Sequence, residues 1–302
     1  MIGFQCSATV QPVFGRSALF PTPPHQASPA SGYSRPSTVL PPNLLDFFPN
    51  AGGDGLRIKW AHAINSRHQL SSALMSDELM IEADVTLAES NRYPVPIMAH
   101  PPMTMSDITL EDWLIEVVRS ETCKGIKLDF KSTRVVEPAF RVLARHSDFL
   151  KGPLVLNADI LQGCNKPSSP PVDAWTFLML CRTRFPKAIL SIGWTTEMND
   201  ISLKTGYTRE MIDQMASLVK EYSLLQPVTF PVNASLLKVS IAELQRLLFQ
   251  VPNSSLSVWS HPGDPVSIDD LMVYRKAFGV NQVFYDMPED ILNAFRAQIY
   301  RR

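Results

Sequence analysis

Cysteine is scarce, with four in 302 residues (Cys6, Cys123, Cys164 and Cys181), and no pair of them has the spacing of metal ligands. That removes a zinc site and a disulfide framework from consideration. No apolar stretch approaches the ~20 residues that a membrane span needs. The formal net charge of −1 gives no basic stripe for a nucleic acid and no cationic face for a membrane surface. At the N-terminus, Gln5, Ser7, Thr9 and Gln11 interrupt what would have to be a continuous apolar core, so the chain reads as unexported. A Gly-rich phosphate loop after the first strand candidate is also missing, which weighs against a doubly wound open sheet.

What is present is ordinary globular composition, 45% hydrophobic and 19% charged, enough for one large core. Residues 10–43 are rich in Pro, Ser and Thr without apolar periodicity, and read as a disordered leader, with the folded domain taken as 44–302. Short β-branched runs then alternate with helical ones. The strand candidates are "GLRIKWAH", "LMIEADV", "PVPIMAH", "GIKLDFK", "GPLVLNAD", "KAILSIGW", "PVTFPVN", "SLSVWSH" and "QVFYDM". Between them, segments such as "ITLEDWLIEVVRSE" and "IAELQRLLFQ" carry the helical period, Thr109 being placed to cap the first. One strand is too many for an eightfold barrel. The gap from Val85 to Pro94 cannot hold the crossover that a parallel partner requires, so "PVPIMAH" is expected to return as an antiparallel hairpin. The expected fold is a TIM (β/α)8 barrel with a β-hairpin insertion after its second strand.

Such barrels carry their sites at the C-terminal strand ends, and residues two apart on a strand share a face. The polar residues obey both rules. Glu82 and Asp84 share a face of the second strand, and Lys127, Asp129 and Lys131 a face of the next. Three converging carboxylates (Glu82, Asp84, Asp129) repel one another, and a divalent cation, Mg2+ or Ca2+, is the simplest remedy; salt bridges to Lys127 and Lys131 are the alternative. His62 and His100 suit acid–base work, and Lys131 suits a phosphate. Lys127, deepest of its trio, also reads as a counter-ion. With it, Asn157, Asp159, Trp194, Asn233, Trp259 and Asp286 end the remaining strands and are candidates to line a substrate pocket, the two tryptophans as mouth packing.

"WAHAIN", "MIEADV", "PIMAHPP", "GIKLDFKS", "LNADIL", "SIGWTT", "QPVTFPV" and "QVFYDM", in this order, resemble the menorin family over about residues 44–287. That domain in turn resembles the phospholipase C-like phosphodiesterase superfamily, which includes glycerophosphodiester phosphodiesterases and the sphingomyelinase D type. The resemblance implies catalytic histidines at His62 and His100, metal ligands at Glu82, Asp84 and Asp129, and a lysine at Lys131. The superfamily's "HRG" stands here as "HAI", so its phosphate-contacting arginine is absent, and Asn65 is the residue expected to take part of that role. "WSHPGDP" also departs from the pattern. The implied activity is metal-dependent cleavage of a phosphodiester, small molecule or lipid headgroup, with attack by water or by a substrate hydroxyl. The alternative is a non-catalytic binding module that acts, like menorin-type proteins, as a co-ligand of a protein partner.

Overall fold

The computed structural model describes residues 42–89, 93–164 and 169–300. The stretch read as a leader lies outside the described residues up to residue 41. Nine strands form one sheet: β1 (Trp60–Ala61), β2 (Met80–Leu87), β3 (Pro96–Met98), β4 (Gly125–Phe130), β5 (Leu154–Leu161), β6 (Ile189–Trp194), β7 (Val228–Asn233), β8 (Ser255–Trp259) and β9 (Val283–Asp286). Eight run parallel in chain order, β1-β2-β4-β5-β6-β7-β8-β9, and β3 alone pairs antiparallel, matching Val85 with Met98 and Leu87 with Pro96. Helices follow the parallel strands, and the result is a nearly closed TIM-like barrel. The hairpin return is where the missing crossover required it to be.

The alternation of side chains along each strand sorts the residues into two apolar layers. Ile81, Ala83, Val85, Ile126, Leu128 and Phe130 pack outward with the helices, where Phe130, Phe140 and Phe185 stack edge to face at 5.1 Å per pair. Trp60, Met80, Val155, Ile189 and Phe284 fill the lower barrel, with Leu44 and Phe48 of the N-terminal turn packed among them. Above this apolar floor the inward positions become polar. Gly193 belongs to this interior: a Cβ there would come within 2.7 Å of both the Asp159 carboxylate and Pro231.

The first strand is shorter than "GLRIKWAH" suggests. Gly55–Arg57 forms a 3-10 turn instead, because the Asp54 side chain accepts from the backbone of Leu56 at 3.0 Å. Gly55 sits against Val283, whose carbonyl oxygen would be 2.1 Å from any Cβ, so only glycine fits. Asp54 also receives both guanidinium nitrogens of Arg275, at 2.9 and 2.6 Å, and the Tyr300 hydroxyl at 2.6 Å. One buried carboxylate thus ties the start of the barrel to its last two helices.

Burial pushes the Asp54 carboxyl up, but Arg275, Tyr300 and the Leu56 amide outweigh it and hold it below its ordinary 3.8. Its contribution to stability is therefore fully present above about pH 4 and is lost as pH falls through the lowered value. Removing the partner by Arg275→Met strands a buried charge and should cost about 3 kcal/mol. Chemical denaturation at pH 7 reads this directly; a loss below roughly 1 kcal/mol would mean the cluster behaves as an ordinary surface pair.

Candidate functional site

Strand register brings the polar residues to one level. Glu82 lies opposite Lys127, Asp84 opposite Asp129, and Asp129 opposite Asn157. One carboxylate oxygen each from Glu82, Asp84 and Asp129 lies within 4.8 Å of the others. Two oxygens held ~2.0–2.6 Å from a common ion can be no farther apart than about 5 Å, so the spacing fits one cation.

Each member is held from behind. Asn65 clamps Asp84: its amide donates to Asp84 Oδ2 at 2.7 Å, and its carbonyl oxygen accepts from the Asp84 amide at 2.8 Å. One N–H and the carbonyl oxygen of the Asn65 side chain are thereby engaged in positioning a carboxylate. Lys131 reaches Asp84 Oδ1 at 2.9 Å and also bonds Asp129. Glu82, whose side chain is only 3% exposed, accepts from the Ala63 amide at 2.9 Å. Burial first, then the Asp84 charge, pushes the Glu82 carboxyl up to about 7. Asp159 is likewise pushed up to about 7, by burial and then by Asp129.

His62 follows β1 at the edge of this cluster. Its Nδ1 lies 2.9 Å from Asp286 Oδ1 and 3.5 Å from Glu82 Oε2. Asp286, chiefly, lifts the imidazole to about 10 despite its burial, so the ring is charged at neutral pH with Nε2 turned away from the carboxylates. Asp286 also accepts from Lys127 at 3.3 Å. Both residues were candidates for contact with substrate; both are buried and form the support of His62. His100 enters from the hairpin. The Ala99 amide donates to the Asp84 carbonyl oxygen at 3.1 Å, which sets the next residue beside Asp84. His100 Nδ1 lies 2.7 Å from the Pro101 carbonyl oxygen. A carbonyl can only accept, so Nδ1 carries a proton and Nε2 is the nitrogen left outside that bond.

The other candidates divide. Asn157 is buried and accepts from the Ser191 hydroxyl. Trp194, 2% exposed, packs on Tyr207 and Phe230. Asn233 is buried, caps the short helix Ala234–Leu237 and donates to Asp264 at 3.0 Å. These three make the wall of the mouth. Trp259 is half-buried at its rim, edge-on to His261. Asp264 was not picked from sequence; His261 was read with Trp259 as the polar end of its strand and was given no role, because "WSHPGDP" departs from the family pattern.

Fold and site together define a TIM-like barrel with an acidic, histidine-flanked cluster at its C-terminal mouth. The Menorin N-terminal domain matches residues 54–292. Protein FAM151B of Homo sapiens is 42% identical over 262 residues, spanning 85% of this chain and 93% of that protein. The chain belongs to the menorin family. Among solved structures, a 2,3-dimethylmalate lyase of the PEP mutase/isocitrate lyase superfamily covers 84% of this chain and 80% of its own, at 11% identity and a TM-score of 0.43. That likeness is too distant to bear on the chemistry.

If Asp286 is what charges His62, Asp286→Asn in chelator-treated protein should drop the His62 midpoint from about 10 towards 6.5. Proton NMR of the imidazole reads it. An unmoved midpoint would assign the charge to Glu82 instead.

Proposed function

We propose that this chain is a phosphodiesterase dependent on a divalent cation, Mg2+ or Ca2+, acting on a phosphodiester headgroup. The observation that carries this is the approach of Glu82, Asp84 and Asp129 oxygens to within 4.8 Å of one another, with His62 and His100 on its two flanks. Charge supports it. Five carboxylates (Glu82, Asp84, Asp129, Asp159, Asp286) meet two lysines and a charged His62, which leaves the interior short of two positive charges. The two carboxyls pushed up to about 7, Glu82 and Asp159, are where that shortage appears. The donors are all hard oxygens, which suit Mg2+ or Ca2+ and not a thiophilic metal.

Glu82, Asp84 and Asp129 would hold the cation, which supplies Lewis-acid polarisation of the phosphoryl group and offsets its developing charge. The protein's own part is acid–base work. His62, kept charged by Asp286, gives a proton from Nε2 to the leaving oxygen. His100, its Nδ1–H engaged with Pro101, takes a proton at Nε2 from the attacking water or substrate hydroxyl. Opposite protonation states set by different neighbours are how one site runs both halves of the transfer. Lys131, 21% exposed at the cluster's edge, adds positive charge on the phosphoryl side. The resemblance to the phospholipase C-like superfamily points to the same residues, and the bonds described support these roles.

Phosphodiester cleavage by the purified chain with added Mg2+, Ca2+ or Mn2+ is the test, across glycerophosphodiesters, lysophospholipids and sphingomyelin. His62→Ala and His100→Ala should each lose ~10²–10⁴-fold in kcat while cation affinity by calorimetry stays unchanged. Glu82→Gln should lose both. Wild type inactive on every substrate, with a protein partner still bound by His62→Ala, would instead favour a non-catalytic co-ligand module.

Lys131 competes with the cation for Asp84 and Asp129. Lys131→Met should therefore tighten Mg2+ binding while slowing turnover, and weaker Mg2+ binding in this variant would contradict the assignment of those two carboxylates.

A further inference from the structure

The phosphoryl group of the proposed reaction still lacks a dedicated protein contact. Asn65 gives one N–H and its carbonyl oxygen to Asp84, and Lys131, the cation on the phosphoryl side, already holds Asp84 and Asp129. His62 Nδ1 and His100 Nδ1 are engaged by Asp286 and the Pro101 carbonyl, and their Nε2 atoms are committed to proton transfer. One further imidazole stands at the same mouth. Register pairs Trp259 with Asp286, the residue that holds His62, and His261 sits edge-on to the Trp259 ring with centroids 5.0 Å apart. The loop is pinned: the His261 amide donates to Asp264 Oδ2 at 2.9 Å, and Asn233 donates to the same oxygen at 3.0 Å. The backbone of His261 is thus fixed while, among the described residues, neither ring nitrogen has a hydrogen-bond partner.

We infer that His261 is the phosphate-contacting residue of this site, giving a ring N–H to a non-bridging phosphoryl oxygen. The inference rests on the proposed phosphodiesterase activity and names the group that binds its substrate. Electrostatics agree. Desolvation lowers the basicity of His261, and the positive charges of His62 and Lys131 act in the same direction. A neutral imidazole there keeps one N–H to donate and adds no further positive charge until an anion arrives. Trp259 limits the ring's movement, so little rotamer freedom is lost on binding.

The test uses the whole chain loaded with Mg2+ and takes inorganic phosphate as the probe, by calorimetry and by NMR of the histidine rings. A hydrogen bond to a charged phosphoryl oxygen is worth about 10–100-fold in affinity. His261→Ala should weaken phosphate by that factor and raise the KM of a cleaved diester comparably, with kcat changed less. His261→Gln, which keeps an N–H donor, should recover part of the loss, and His146→Ala, far from the mouth, should change nothing. Phosphate bound equally well by wild type and His261→Ala would overturn the inference while leaving the activity intact. Absence of phosphate binding by wild type would overturn it too. Phosphate binding that depends on His261, in a protein that cleaves no diester, would sustain the inference and defeat the proposed reaction.

Discussion

The structure is organised around negative charge taken out of water. Glu82 and Asp84 occupy inward positions of a central barrel strand, where an uncompensated carboxylate costs several kcal/mol. Nearly every polar contact in the mouth answers that cost. Lys131 bridges Asp84 and Asp129, Lys127 and His62 meet at Asp286, and Asn65 and the Ala63 amide satisfy what remains. These contacts still leave two positive charges wanting. A core that needed only stability would fill the same positions with apolar residues, as the lower barrel does with Met80, Val155 and Ile189.

This arrangement also separates the two histidines chemically. His62 stands against two carboxylates, whereas His100 donates from Nδ1 to a carbonyl oxygen. They arrive from different parts of the chain, one after β1 and the other from the antiparallel return of β3. The hairpin insertion is therefore part of the site. It places His100 against Asp84 through the backbone bond from Ala99.

Much of this could be read from the sequence because strands have a period of two. Parity alone put Glu82, Asp84, Lys127 and Asp129 on inward faces, and the short helix-free gap after Val85 gave away the return of β3. The failures have a common cause. Lys127 read as a counter-ion from its depth in the strand, but that its partner is Asp286, 159 residues on and bonded to His62, comes only from the closing of the barrel. Asn65 was given a phosphate, but its partner Asp84 lies 19 residues away and is adjacent only through β1–β2 pairing. The first strand shortened because Asp54 captured backbone donors, a local choice made profitable by Arg275, 221 residues distant. His261 was read at a strand end but given no role, and its edge-on contact with Trp259 is visible only in the fold.

The central claim is that the space between Glu82, Asp84 and Asp129 is a cation site. A crystal soaked in Mn2+, with data collected at a wavelength giving manganese anomalous signal, tests it most directly. The account predicts a single anomalous peak within about 2.0–2.6 Å of an oxygen from each of the three carboxylates. A cluster with no peak, still closed by Lys131 between Asp84 and Asp129, would contradict it.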